Sequence, residues 1–139
     1  MATKTSRGLR NLNPGNIRRS KVTYRGEKIP TTDSAFKQFE SIEMGYRAIF
    51  VLLHTYQLRG YADSIESIIN RYAPPSENHT EAYIRRLCNS TGFARDRKLD
   101  TLSADDMIPI VTAISAVENG IPADPKAVEA GWLEFRKEY

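Results

Sequence analysis

The chain has 139 residues, of which 40% are hydrophobic and 27% charged, as in an ordinary globular protein of one domain. No apolar run approaches the roughly 20 residues of a membrane span, so membrane insertion is not expected. The single cysteine excludes an internal disulfide, and with only two histidines beside it a structural zinc site is not expected. Nothing else in the sequence implies a metal or an organic cofactor.

Basic residues are concentrated in residues 1–47, whereas acidic residues predominate in residues 48–139. The basic part could face an anionic polymer, or it could be a solvated surface of no special purpose. Binding to nucleic acid is a minor hypothesis, because the chain lacks a helix-turn-helix pattern, a zinc finger and an aromatic RNA-binding strand motif. No apolar segment follows the basic N-terminus, so we expect synthesis in the cytoplasm without a signal peptide.

Residues 1–6 are predicted to be a disordered tail, and residues 7–139 a single domain. The segment 7–18 is dense in turn-forming residues. Within it, Pro14 and Gly15 predict a type II turn in which Gly15 takes a positive φ. Asn13 and Asn16 flank this turn and can either bond to backbone groups or present their amides to a ligand.

A short β-hairpin is predicted next, with strands at 22–24 and 28–30 and a turn at 25–27. Such a small ribbon cannot be stable alone and must pack on helices. Asp33, Phe36 and Phe39 follow at a spacing of three residues, and we expect the two rings to anchor this segment in the core.

Helical periodicity predicts five helices, which begin near residues 43, 63, 78, 103 and 124. Capping pairs mark three of these starts: Asp63 with Glu66, Asn78 with Glu81, and Ser103 with Asp106. The predicted fold is therefore a mainly helical α+β domain, with five helices, one hairpin and no βαβ alternation.

One carboxylate continues an apolar stripe near the end of the chain. Val111, Ile114 and Glu118 are spaced i, i+3 and i+7, and Gly120 with Pro122 ends their helix. Partial burial and the negative end of the helix dipole both predict a raised pKa for Glu118. A protonated carboxylic acid is what a general acid requires, as in glycoside hydrolysis. Alternatively, Glu118 extends into solvent from a frayed helix end and has no chemical role.

Several motifs together resemble the lysozyme-like family of phage and prophage virion proteins. The most specific is Gly-Leu-Arg-Asn-x-Asn-Pro-Gly-Asn-Ile-Arg, at residues 8–18. Weaker matches are Asp33-x-x-Phe36-x-x-Phe39 leading to residues 45–48, the stretch from Arg71-Tyr72-Ala73-Pro74-Pro75 to Tyr83, and Glu118-Asn119-Gly120. The resemblance covers nearly the whole chain.

The order of these motifs implies a circularly permuted lysozyme-like domain. In many peptidoglycan glycosidases a helix ending in Glu-Ser-Gly comes before the Asn-rich segment, whereas here the helix ending at Glu118 comes near the close of the chain. The resemblance implies cleavage of β-1,4 bonds of peptidoglycan, with Glu118 in the position of the catalytic acid.

Hydrolysis normally requires a second carboxylate, for which Asp33 is the first candidate and Glu40, Glu43 and Glu77 are weaker ones. If none faces Glu118, a lytic transglycosylase is favoured, because one acid/base is then sufficient. Residues expected along the sugar-binding groove are aromatic or carry amide or carboxyl groups: Asn13, Asn16, Tyr24, Tyr72, Glu77, Asn78 and Tyr83. Phe36, Phe39, Ile49, Leu52 and Trp132 are assigned to packing.

A rival of another class is a non-enzymatic virion or wall-binding protein with the same fold. Under either hypothesis the expected partners are peptidoglycan strands, together with other virion or secretion components. The protein would act in the periplasm or cell wall, delivered by a phage particle, through a holin-type lesion or by a secretion machine.

Overall fold

The computed structural model describes residues 5–74 and 79–139. In these ranges the chain forms six α-helices, which are α1 Arg7–Arg10, α2 Ile42–Leu58, α3 Ile65–Tyr72, α4 Thr80–Thr91, α5 Ala104–Asn119 and α6 Pro125–Arg136. The predicted mainly helical fold is confirmed. The short helix α1 lies in the segment predicted as turns, where Ser6 caps it by accepting a hydrogen bond from the Leu9 amide.

Helices α2 and α6 form the most extensive helix pair, and α5 packs against both α4 and α6. At Gly131 of α6 the two helices of this pair approach closely, since a Cβ there would lie 2.6 Å from Tyr46 Cβ. Only glycine allows that separation. The core between the helices is apolar and includes the fully buried residues Ile49, Phe50, Leu53, Ile114, Val128 and Phe135.

The predicted hairpin between 22–24 and 28–30 is not formed. Instead, two isolated β-bridges join Arg18 to Phe36 and Glu27 to Phe39, and the described residues contain no longer strand. The reason is the buried Lys37, whose ammonium donates to the Val22 carbonyl at 2.7 Å and to both Glu27 carboxylate oxygens at 3.1 Å. Residues 22–27, predicted as the first strand and the turn of the hairpin, therefore surround the Lys37 ammonium instead.

Two predicted helix starts are confirmed by their caps. Ser103 accepts from the Asp106 amide, and Asp124 accepts from the Lys126 amide directly before Pro125. The capping pair predicted at Asp63 is wrong by one residue, because Ser64 and Ser67 cap α3 reciprocally through their hydroxyls.

Two predictions fall partly outside the described residues. Asn78, the predicted cap of α4, is one, and four residues of the predicted tail, 1–4, are the other. No helix in the described parts of the chain is long and apolar enough to cross a membrane.

Candidate active site

Glu118 lies in the last turn of α5, directly before Asn119 and the left-handed Gly120. Its two predecessors on the same face, Val111 and Ile114, are fully buried, whereas Glu118 is half-buried. The apolar stripe predicted from the spacing is therefore real. The stripe runs from the core to Glu118, which lies at the edge of a surface cavity.

Two neutral donors hold the Glu118 carboxylate. The Asn16 amide donates to Oε1 at 2.9 Å, and the Tyr83 hydroxyl donates to Oε2 at 2.8 Å. Burial, reinforced by the nearby charge of Glu118, raises the pKa of Tyr83 well above its usual value, so this hydroxyl stays a donor at neutral pH. Within residues 5–74 and 79–139, Glu118 forms no ion pair.

Glu118 forms part of the wall of a cavity of about 300 Å³, which we call the acid cavity. Its described lining comes from the loop after α1, from α2 and from the end of α3: Gly15, Asn16, Ile17, Arg18, Phe36, Leu52, Tyr56, Arg71, Tyr72, Ala73, Pro74 and Glu118. Of these residues, Glu118 alone carries a carboxyl group. The acid cavity thus combines one acid with aromatic, amide and guanidinium groups.

The turn that presents Asn16 differs from the predicted one. The positive φ is at Asn16, with a value of 50°, and Gly15 is not in the left-handed region. Asparagine tolerates this conformation better than most residues, and it directs the amide towards Glu118. Gly15 is required for another reason, since a Cβ there would lie 2.8 Å from Cγ1 of Ile49.

Asn119 fastens the N-terminal segment to the end of α5. Its amide donates to the Pro14 and Ser115 carbonyls at 2.9 Å, and its oxygen accepts from the Ser6 hydroxyl at 2.7 Å. The contact between Asn16 and Glu118 is therefore one of several bonds between these distant parts of the chain. This explains why Asn119 follows Glu118 in the motif, a role that the sequence analysis did not assign.

Three predicted groove tyrosines have three different positions. Tyr72 lines the acid cavity and donates its hydroxyl to the Gly15 carbonyl, and burial raises its pKa well above the usual value. Tyr83 is buried, bonds to Glu118 and does not line the acid cavity, so the structure favours a positioning role over the predicted contact with sugar. Tyr24 lines a neighbouring cavity, and burial raises its pKa to about 12.

Asp33 does not line the acid cavity. Its carboxylate accepts two hydrogen bonds from the Arg7 guanidinium, at 2.8 and 2.7 Å, and one from the Asn11 amide at 3.0 Å. The backbone amides of Ala35 and Phe36 also donate to it, each at 2.9 Å. These donors, Arg7 above all, hold the pKa of Asp33 well below its usual range. This geometry favours a structural role for Asp33 over the predicted role as nucleophile.

Asn13 is fully buried, and its side chain is saturated by backbone groups of Ile17 and Lys37. Its predicted contact with substrate is therefore wrong, because no part of the amide remains for a ligand. Glu77 and Asn78, the other predicted groove residues, lie outside the described residues.

Several residues that line the acid cavity were not predicted to lie there. Phe36 and Leu52 were assigned to packing, yet both are only half-buried and line the cavity. Tyr56 and Arg71 were not singled out, although Arg71 precedes Tyr72 within a motif already noted. No group of three or more His, Cys, Asp or Glu in the described parts of the chain could hold a metal ion.

The chain matches no family model. It is 38% identical over 121 residues to Protein P5 of Pseudoalteromonas phage PM2, an alignment that covers 84% of this chain and 73% of the phage protein. The chain belongs to the Protein P5 family. Membership of the Protein P5 family relates the chain to a bacteriophage protein, and the name itself describes no activity.

Proposed function

We propose that this protein cleaves the glycan strands of peptidoglycan, with Glu118 as general acid on a circularly permuted lysozyme-like fold. The observation that carries the proposal is a half-buried carboxylate on a cavity wall, held by neutral donors. Glu118 stands at the carboxyl end of α5 and borders the acid cavity, so its carboxyl group is within reach of a bound ligand.

The walls of the acid cavity suit a sugar ring. Phe36, Tyr56 and Tyr72 offer aromatic surface, while Arg71 offers a guanidinium that can bond to hydroxyls and acetamido groups. The opening motif at residues 8–18 supports the same substrate through its resemblance to virion glycosidases. Kinship with a phage protein is consistent with delivery to the cell wall by a virion.

The described lining supports the chemistry of a lytic transglycosylase, which needs one acid/base. Glu118 would protonate the oxygen of the scissile β-1,4 bond as its bond to the anomeric carbon breaks. The C6 hydroxyl of the same sugar would then attack the anomeric carbon and return its proton to Glu118, which closes an anhydro ring. Hydrolysis would instead add water to this carbon, with a second carboxylate as base or nucleophile.

The decisive experiment is the digestion of purified peptidoglycan by the parent protein and by Glu118→Gln. We expect release of soluble muropeptides to fall at least about 100-fold in the variant, because general acid catalysis contributes roughly 10²- to 10⁴-fold. The matched control is Glu129→Gln on the exposed face of α6, which should digest at the parental rate. Circular dichroism would show that both variants are folded.

The products distinguish the remaining possibilities. Anhydro ends in mass spectra of the muropeptides indicate a transglycosylase, and free reducing ends indicate a hydrolase. Equal digestion by Glu118→Gln and its parent would contradict the proposed role of Glu118. Pelleting with peptidoglycan without any digestion would support the rival, a non-enzymatic protein that binds the wall.

A further inference from the structure

A second cavity, of about 470 Å³, adjoins the acid cavity. The two share three lining residues, Leu52, Tyr56 and Arg71, so they lie side by side. We call the second one the arginine cavity, because Arg25, Arg47, Arg59 and Arg71 all line it. Its only acidic lining residue among those described is Glu138.

The arginine cavity already holds one carboxylate. Glu138 accepts from the buried Arg47 at 2.7 Å through one oxygen and from Arg25 through the other. Arg47 is only 3% exposed, and its Nε has no hydrogen-bond partner among the described residues. Arg25 is also bound by Glu134. A carboxylate is thus the group that this part of the cavity accepts, and part of the buried guanidinium remains unsatisfied.

Two further arginines add positive charge without a carboxylate partner. Arg59 and Arg71 are exposed and form no ion pair in the described ranges. The Arg71 guanidinium lies over the ring of Tyr61, with Cζ 3.8 Å from the centroid, and over Tyr56 at 5.3 Å. These rings hold Arg71 at the junction of the two cavities, where its charge can be shared by a ligand that spans both.

We propose that the arginine cavity binds a carboxylate carried by the same ligand whose sugars occupy the acid cavity. If the proposed function holds, the carboxylate belongs to the peptide stem attached to the glycan, because the sugar chain itself offers few negative groups. Guanidinium groups bind carboxylates in planar, two-bonded geometry, so an arginine-lined cavity selects such a group over a neutral sugar. The cavity would then make the protein prefer glycan that carries peptides.

The direct test measures binding of the free stem tetrapeptide to the parent protein by NMR titration. We expect Arg59→Gln to weaken this binding at least fivefold, since Arg59 lines the arginine cavity only. The matched control is Arg85→Gln, an exposed arginine on α4 that lines neither cavity and should bind as the parent does. A tetrapeptide with amidated carboxyl groups should bind more weakly than the free acid by a similar factor.

Two results would overturn the proposal. One is equal affinity of Arg59→Gln and its parent for the tetrapeptide. The other is inorganic phosphate binding as tightly as the tetrapeptide, because the cavity would then be an unselective anion site. Neither binding measurement requires cleavage. A protein that binds the tetrapeptide but does not digest peptidoglycan would therefore contradict the proposed function and still support the peptide-binding proposal.

A rate measurement gives a second readout. With intact peptidoglycan Arg59→Gln should raise KM at least fivefold and leave kcat unchanged, whereas on peptidoglycan whose stem-peptide carboxyl groups have been converted to amides it should match its parent. An equal effect of Arg59→Gln on both substrates would place Arg59 in sugar binding and contradict the proposal.

Discussion

The irregular segment 5–41 and the helical part from residue 42 onward are held together by different forces. The helices bury aliphatic and aromatic side chains against one another, mainly between α2 and α6 and between α4 and α5. The irregular segment instead buries polar groups, among them Asn11, Asn13 and Lys37, and satisfies them with backbone carbonyls, amides and carboxylates.

Glu118 lies where these two parts meet. The helical part supplies Glu118 and its donor Tyr83, and the irregular segment supplies Asn16. Apolar packing tolerates some sliding, whereas hydrogen bonds to buried polar groups are strict in distance and direction. A precise loop, fastened by Asn119, therefore positions one side of the site, whereas the other side rests on ordinary helix packing.

The largest effect on stability is expected from breaking the polar core of the irregular segment. Lys37→Met should lower the free energy of unfolding by about 3–5 kcal/mol, because Glu27 and the Val22 carbonyl lose their buried partner. Chemical denaturation would measure it, with the exposed Lys28→Met as control. The double variant Lys37→Met with Glu27→Gln should regain part of the loss. Were Lys37→Met as stable as its parent, the irregular segment would not depend on this pair.

Where the irregular segment meets the helices, Tyr83→Phe should reduce the rate of peptidoglycan cleavage about tenfold. A factor of ten corresponds to roughly 1.4 kcal/mol, which is the value of one buried hydrogen bond. The loss should fall on kcat and leave KM unchanged, because Tyr83 contacts Glu118 and does not line the acid cavity. Tyr46→Phe is a matched control, since it removes a buried hydroxyl bonded to Ser115 on the same helix. Similar kcat values for both variants would show that Tyr83 acts only in packing.

The variant Asp33→Asn tests whether Asp33 stabilises the fold or takes part in catalysis. We expect a thermal midpoint lower by several degrees and an unchanged cleavage rate per folded molecule, since the Asp33 contacts are all structural. The pKa of Asp33 is lowered in the folded state, so its stabilisation is present above about pH 4 and is lost as the pH falls further. The variant should therefore lose less stability on acidification than its parent. Loss of cleavage in a folded Asp33→Asn protein would revive its role as nucleophile.

The smallest effect is expected in the helical part, at the buried His54. Burial, helped by the charge of Arg136, lowers the pKa of His54, so the folded protein resists its protonation. Stability should then be complete above about pH 6.5 and fall as the pH drops below that value. In His54→Gln this decline should be shallower, whereas the exposed His79→Gln should follow the parent. Identical slopes in all three proteins would contradict this assignment.

Local signals predicted much of the helical part correctly. Ser103, Asp124 and Gly120 mark helix ends through bonds to their own neighbours, and these bonds are as readable in the sequence as in the structure. The i, i+3, i+7 spacing likewise placed Glu118 on the buried face of α5. The irregular segment was predicted less well, because the partners of Lys37, Asn13 and Asp33 are remote in sequence or are backbone groups that have no pattern.

The five longer helices, several of their ends and the exceptional carboxylate at the end of α5 could be predicted from the sequence, because each depends on residues within a turn or two. The packed fold was needed to show that Asn16 and Tyr83 hold this carboxylate, that Asp33 is bound by Arg7, and that Arg71 lines two neighbouring cavities. Asn16 and Glu118 are 102 positions apart, and bringing them together requires the packing of the whole domain. Hydrogen bonds at such separation follow from the fold and leave no periodic trace in the chain.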